Sequence, residues 1–401
     1  MAAKSDTNID ESCVRAAKVL QEADVLLIVT GAGFSADSGL PIYNDIAQVP
    51  AYQNLGLEYS DICQPQMLEK DPELFYGFWG QCYTDYRNTR PHDGYSIVKE
   101  WRNRIVNKSA AVSKSIQQRM KEEFESQKSF DSEEIKRQTP YLIEDPTAQA
   151  AYVFTSNCDA HFYDYFPANE IHDCHGNIEL WQCSNRDCEE GTSIWRAALD
   201  HSFVVDKSTM RAPQNKSYVS NARSHSDAGK SDDKATPRIG QTIHSGKRDN
   251  TLQYMPPAVD SDAWVCDKGS NWPRCKQCES LARPAIFMFG DFGWEYDKSQ
   301  EIRWDAWRSS VLDLCQNDLS IKVCIVEIGC GMRVSTCRTT SEDFVEDVIK
   351  TGSNATLVRI NPDFPTAPEG SVSEHNCIAI ESGALRAIQK IEKLWSSNSG
   401  K

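Results

Sequence analysis

Five continuous apolar stretches of strand length punctuate the chain. They are Val25-Leu26-Leu27-Ile28-Val29, Tyr152-Val153-Phe154, Ala285-Ile286-Phe287-Met288-Phe289, Val323-Cys324-Ile325-Val326 and Thr356-Leu357-Val358-Arg359-Ile360. Apolar runs without alternation fit strands covered on both faces, as in a parallel sheet. Each run ends at a polar or glycine-bearing corner: Thr30-Gly31-Ala32-Gly33, Thr155-Ser156-Asn157, Gly290-Asp291, Gly329-Cys330-Gly331 and Asn361-Pro362. Ligands of open α/β sheets sit outside the carboxyl ends of the strands, so the five corners are expected to meet at one crevice. Helical periodicity marks Val14–Ala23, Pro72–Tyr86 and about Ser382–Trp395 between and around the runs.

Two stretches break the alternation and read as insertions. Residues 107–139 are rich in Lys, Glu, Gln and Ser and poor in apolar side chains, the pattern of a solvated helix or linker. Residues 206–257 are rich in Ser, Lys, Asp, Asn and Gly, too polar to bury a core, and read as disordered. The whole chain carries 43 basic and 58 acidic side chains, a net charge of −15. That balance disfavours non-specific binding to nucleic acid. It suits a soluble enzyme and leaves open whether the charge also attracts cationic, lysine-rich substrates. The longest apolar run, Val25–Val29, is too short to cross a bilayer, and Met1–Asp10 lacks a secretory apolar region. The expectation is an intracellular protein, cytoplasmic or nuclear, with its 15 cysteines reduced or metal-bound.

Three motifs carry candidate chemistry. Gly31-Ala32-Gly33-Phe34-Ser35-Ala36-Asp37-Ser38-Gly39-Leu40-Pro41 follows the first run. Small residues there let a pyrophosphate approach backbone N–H groups, although glycine turns after strands are also common structural corners. Cys183 and Cys188, then Cys275 and Cys278, form two pairs whose four thiolates suit tetrahedral structural zinc. Residues 189–274 separate them, far more than the roughly 15–20 residues of common zinc ribbons, but loop closure grows only logarithmically with length. Unrelated buried cysteines are the competing reading, with Cys174 and Cys266 as decoys. Asn157 and Asp159 offer an amide and a carboxylate to the crevice. His175-Gly176 follows, and a near-neutral imidazole is a natural base for a hydroxyl, though a lone histidine beside glycine is more often structural.

Taken together and in order, these residues resemble the sirtuin family. The shared pattern is the Gly31–Pro41 turn, Thr155–Asp159, His175-Gly176, the two cysteine pairs, and Arg283-Pro284 leading to Phe289-Gly290-Asp291. Gly329-Cys330-Gly331-Met332-Arg333-Val334, Asn361, Asp71-Pro72 and Pro91-His92 also fall where the family has similar segments. The resemblance covers about Val14–Leu394, apart from the insertions. It implies an α/β fold: a Rossmann-like parallel sheet with helices on both faces, plus a small zinc-binding module and a helical insertion. The Rossmann-like part would be discontinuous, 14–180 and 281–395. The module would span 181–280, with 396–401 as a tail.

The resemblance further implies NAD as co-substrate and an acyl-lysine protein or peptide as partner, with no nucleic acid and no membrane. The peptide would enter between the two parts and pair near Gly290-Asp291 and Gly331–Val334. Cofactor contacts are expected from Gly31, Ala32, Gly33, Ser35, Ser38, Tyr43, Ser156, Asn157, Asp159, Gly329, Cys330, Gly331 and Asn361. His175, Asn157 and Asp159 would be catalytic: His175 as base to a ribose hydroxyl, Asn157 orienting the ribose or a water, Asp159 holding the nicotinamide carboxamide. Several positions depart from the family pattern. Ile42-Tyr43-Asn44 stand for Asp-Phe-Arg, Ser156 for a glutamine, and Cys330-Gly331 for Thr-Ser. A divergent deacylase, an ADP-ribosyltransferase or NAD hydrolase, and a weakly active NAD-binding module all remain compatible. A Tyr and an Arg at a fixed spacing would suit an acidic acyl group; Tyr83, Tyr86, Arg87 and Arg90 lie in the right region but do not align to that spacing, so the acyl preference stays open.

Overall fold

The computed structural model describes residues 2–42, 45, 48–127, 135–136, 139–141, 143–188, 194–198, 200–219 and 264–398. Its strands in chain order are β1 (Val25–Thr30), β2 (Ala151–Thr155) and β3 (Ile171–Asp173), then β4 (Leu180–Cys183), β5 (Ile194–Arg196), β6 (Trp264–Val265), β7 (Arg274–Cys275) and β8 (Ala282–Pro284), and finally β9 (Lys322–Ile328), β10 (Asn354–Ile360) and β11 (Cys377–Ile380). The longer helices are α1 (Ala2–Glu22), α2 (Pro72–Asn88), α3 (Asp93–Lys108), α4 (Ala110–Gln127), α5 (Lys298–Asn317), α6 (Thr336–Lys350) and α7 (Ala384–Asn398).

Six strands form one all-parallel sheet in the order β11-β10-β9-β1-β2-β3. The order reverses between β1 and β9, which makes their carboxyl ends the topological switch point of a Rossmann-like fold. Helices cover both faces, and β1 shows why its run is unbroken. Leu26 and Ile28 join one core with Leu20, Trp101 and Ile388 from α1, α3 and α7. Val25, Leu27 and Val29 join the other with Met120, Trp307 and Phe344 from α4, α5 and α6. The buried charges inside β9 and β10 are paired: Arg359 on β10 donates to both carboxylate oxygens of its register neighbour Glu327 on β9, at 2.8 and 2.7 Å. The small module holds β5-β4-β8 as an antiparallel sheet and β6-β7 as a hairpin. Its core joins Trp181, Trp195 and Phe203 to Phe75, Phe78 and Trp79 of α2.

Three expectations need correction. The run 285–289 is not a strand of the parallel sheet. Its N–H groups go instead to Leu180, His175 and Cys63 carbonyls, and Ala285, Ile286 and Met288 are buried while Phe287 and Phe289 are exposed. The strand there is the preceding Ala282–Pro284. In its place the sheet takes β3 and β11, edge strands of three and four residues. Residues 110–127 form a packed helix, not a solvated one, because Ile116, Met120 and Phe124 bury themselves on the α5 side of the sheet. The insertion is ordered over 206–219. Arg211 makes a two-pronged ion pair with Asp71 at 2.7 Å for each contact, and Met210 and Ala212 are buried over α2. Residues 220–257 lie outside the described residues.

Candidate active site

The turn after β1 is locked to the corner after β9. Gly31 N–H donates to Ile328 O at 3.1 Å and Gly33 N–H to Gly329 O at 3.0 Å. A Cβ on Gly33 would stand 2.8 Å from the Gly329 Cα, and Gly329 itself has φ +65°. These glycines therefore serve backbone-to-backbone contact between the two switch-point corners. Ala32 is exposed beside them. Asn361 closes the same corner: its Nδ2 donates to Cys330 O at 2.8 Å, and its Oδ1 accepts from Asp363 and Phe364 N–H groups. The Cys330 side chain turns into the sheet, towards the Val29 and Ile328 carbonyls, whereas Gly331 stands in open space.

Ser35, on the single helical turn that follows Gly31, gathers the predicted polar residues. Its hydroxyl donates to Asp159 Oδ2 at 2.5 Å, accepts from Asn157 Nδ2 at 3.0 Å and contacts the Tyr95 hydroxyl at 3.1 Å. Asp159 Oδ1 accepts from the His161 N–H at 2.9 Å. Asn157 and Asp159 are both buried. Behind them Ser38 accepts from the His92 N–H at 3.0 Å. His92 Nδ1 accepts from Gly94 N–H at 2.9 Å, so the proton lies on Nε2, which donates to Phe34 O at 2.7 Å. His92 thereby caps α3 and ties it to the glycine turn.

His175 lies half-buried on the loop after β3, with its carbonyl bonded to Phe287 N–H at 2.9 Å. Burial pulls its pKa below the ordinary value, against the opposing influences of Cys337 and the Ser156 backbone. It is thus neutral near pH 7, the form a base requires. Cys337 also touches Cys174, Cys330 and Ser156, and donates to Thr30 O at 3.3 Å. The fold therefore gathers Ser35, Asn157 and Asp159 into one network and sets His175 beside Ser156, the neighbour of Asn157. Tyr43 and Asn44 lie outside the described residues. Tyr95, Cys337 and the capping role of His92 carried no sequence signal of their own, because each acts through a partner distant in the chain. Arg87 is committed to Glu179 through two contacts of 2.8 and 2.5 Å and stacks over Tyr83 at 4.1 Å. That pairing uses the guanidinium that an acidic acyl group would need.

Arg283 and Asp291 explain why their motif pieces travel together. Their buried ion pair closes the turn between them, and Arg283 also donates to Ile286 O at 3.0 Å. In the module, all four sulfurs of Cys183, Cys188, Cys275 and Cys278 lie within 4.8 Å of one another. Two of the separations are 3.5 Å (Cys183–Cys278) and 3.9 Å (Cys188–Cys275). Zinc–sulfur bonds of about 2.3 Å in a tetrahedron require sulfurs roughly 3.8 Å apart, so this donor set can hold zinc.

A doubly wound parallel sheet, with paired corners at its switch point and a four-cysteine module beside them, defines the class as a Rossmann-like α/β protein. No protein-family model matches the chain. It is 32% identical over 96 residues to an NAD-dependent protein deacylase of Deinococcus radiodurans, covering 24% of this chain and 37% of that one. It is 31% identical over 85 residues to NAD-dependent protein deacylase 2 of Pseudomonas aeruginosa, covering 21% and 33%. It is 33% identical over 86 residues to an NAD-dependent protein deacetylase of Oceanobacillus iheyensis, covering 20% and 34%. The alignments span about a third of the length of these relatives. With the ordered motifs and the fold, these matches support a divergent likeness to the sirtuin family. Among the described residues, no helix is long and apolar enough to cross a membrane.

Proposed function

We propose that the protein is an NAD-dependent protein-lysine deacylase, with a structural zinc in the four-cysteine module. One observation carries the reading: Ser35 joins Asn157 and Asp159 at the switch-point crevice, with the neutral His175 on the adjoining loop. The pairwise-bonded corners leave the open Gly331 and the exposed Ala32 at the mouth, where a pyrophosphate would meet backbone N–H groups. Bound NAD would supply a ribose carbon open to attack and a leaving nicotinamide. Asp159 retains acceptor capacity for a carboxamide, since a carboxylate group offers about four lone-pair sites and two are occupied, by the Ser35 hydroxyl and the His161 N–H. Asn157 orients the ribose or a water, and His175 takes the proton of a ribose hydroxyl so that the oxygen can attack the acyl carbon. An acyl-lysine protein is the expected partner.

The test incubates the full chain with NAD and acetyl-, succinyl- or myristoyl-lysine peptides, followed by mass analysis. Peptide-dependent O-acyl-ADP-ribose, lost in His175→Ala with the fold intact, is the expected result. Peptide-independent nicotinamide release would replace the reading with ADP-ribosyl transfer or NAD hydrolysis. NAD binding without turnover would reduce it to a regulatory module. Full activity in His175→Ala would overturn the assigned base.

A further inference from the structure

A cavity of about 300 Å³ opens on the far side of the His175 loop, where Cys174 and Gly176 line it. Its other walls include Asp173, Asp297, Glu301, Trp294 and Tyr296. Asp297 caps α5: Oδ1 accepts from the Ser299 N–H at 3.0 Å and from the Ser299 hydroxyl at 2.5 Å. Its second oxygen, Oδ2, is buried and has no hydrogen-bond partner among the described residues. A buried carboxylate oxygen left without a donor is costly, and native proteins rarely leave one so. Asp173 lies close enough to raise the charge problem further, although its own Oδ2 accepts from Tyr163 and Asn177 at 2.9 and 2.8 Å.

The chemistry of the walls narrows what would fill this space. Asp173, Asp297, Glu295 and Glu301 line the cavity, and Arg303, bonded to Ser299 at 2.8 Å, is the buried cation near Asp297. His172 contributes no positive charge, because burial holds it neutral. Burial, helped by the charges of Asp159 and Asp297, pushes the Asp173 carboxyl up to about 6, and burial raises Asp297 against the opposing charge of Arg303. Both shifts would relax beside a cation. A divalent metal fits poorly: among the described residues, only the four cysteines bring three or more ligand atoms within metal-binding reach. Dispersed carboxylates beside the Trp294 and Tyr296 rings, whose centroids are 5.5 Å apart, suit instead an organic cation with an alkyl body.

We propose that this cavity binds a small organic cation, a primary ammonium or guanidinium group, with Asp297 Oδ2 as its principal acceptor. The site is separate from the NAD reading and does not need NAD. The cation has two sources, a free amine or a basic side chain of a bound peptide. Calorimetry on the full chain without NAD separates them, with n-butylammonium as one probe and a capped, unacylated lysine peptide as the other. Saturable binding of at least one probe is expected, with none for n-butanol, the uncharged analogue. Asp297→Asn keeps a side chain that caps helices equally well and removes the charge. It should weaken binding on the order of tenfold, the usual cost of a lost charge-assisted hydrogen bond. Glu301→Gln, at the exposed rim, should weaken it by less and leave the melting temperature unchanged. Absence of saturable binding by both probes, equal binding of n-butanol, or unchanged affinity in Asp297→Asn would each overturn the proposal.

Discussion

The hydroxyl of Ser35 donates to Asp159 across 124 residues of sequence, joining the corner after β1 to the corner after β2. The same oxygen accepts from Asn157. Ser35→Ala would strip a buried carboxylate oxygen of its donor and a buried amide of its acceptor. A buried polar group left without a partner costs about 1–3 kcal/mol. The expected outcome is a lowered melting temperature together with a marked fall in NAD-dependent nicotinamide release. Ser38→Ala, which loses only the contact with His92 N–H, should affect turnover less. Equal turnover in Ser35→Ala and the native chain would show that the network is not part of the site.

His175 should fix the acid limb of the pH–rate profile. A base works deprotonated, and burial lowers the pKa of this imidazole. Activity should therefore hold at pH 7 and fall only below the ordinary histidine value of about 6.5, as one proton is taken up. The measurement is kcat/KM between pH 5 and 8 with an acyl-lysine peptide. A midpoint above 6.5 would contradict a desolvated base.

What could be read in the sequence follows from how each residue is held. Val25–Val29 announced itself because both of its faces are buried, so no polar residue interrupts it. The cysteine pairs were legible because ligand spacing is local, even with a long loop between them. By contrast β3 contains only Ile171, His172 and Asp173, and an edge strand of that length has no period to detect. Ala285–Phe289 misled because five apolar residues look fully buried, whereas Phe287 and Phe289 face outward. Ser35 was legible as a member of the turn but not as the bond to Asp159, and Arg87 gave no sign of its pairing with Glu179. Both depend on contacts between residues far apart in the chain, which composition and periodicity do not encode.

The four-cysteine cluster predicts one zinc per chain by metal analysis, lost in Cys275→Ser. The cysteines share their core with Trp181, Trp195 and α2, so metal loss should loosen that module first. Chelation should shift tryptophan fluorescence and lower the melting temperature, because metal-binding energy is coupled to folding. The parallel sheet draws its stability from two other cores, so much of the helical circular dichroism should survive. Unchanged fluorescence after complete metal removal would mean that the cysteines stand without zinc.

His172 gives a stability prediction independent of any ligand. Its ring stacks on Phe154 at 5.0 Å and on Trp304 at 6.3 Å, and its Nδ1 has no hydrogen-bond partner among the described residues. Burial, with Arg303 acting in the same direction, pushes its pKa down to about 4. The unfolded chain titrates this residue near 6.5, so between those values the unfolded state binds more protons. Stability must then fall as pH falls through that window, by up to about 1.4 kcal/mol per pH unit for this residue. Asp173, whose carboxyl is pushed up to about 6, acts in the opposite sense, but it does so in native and variant chains alike. His172→Phe keeps an aromatic ring in the stack and removes the titration. The variant should match the native protein at pH 7 and exceed it by about 1–2 kcal/mol at pH 5, measured by urea unfolding at each pH. Parallel stability curves for the two chains would show that His172 takes up its proton without leaving the fold.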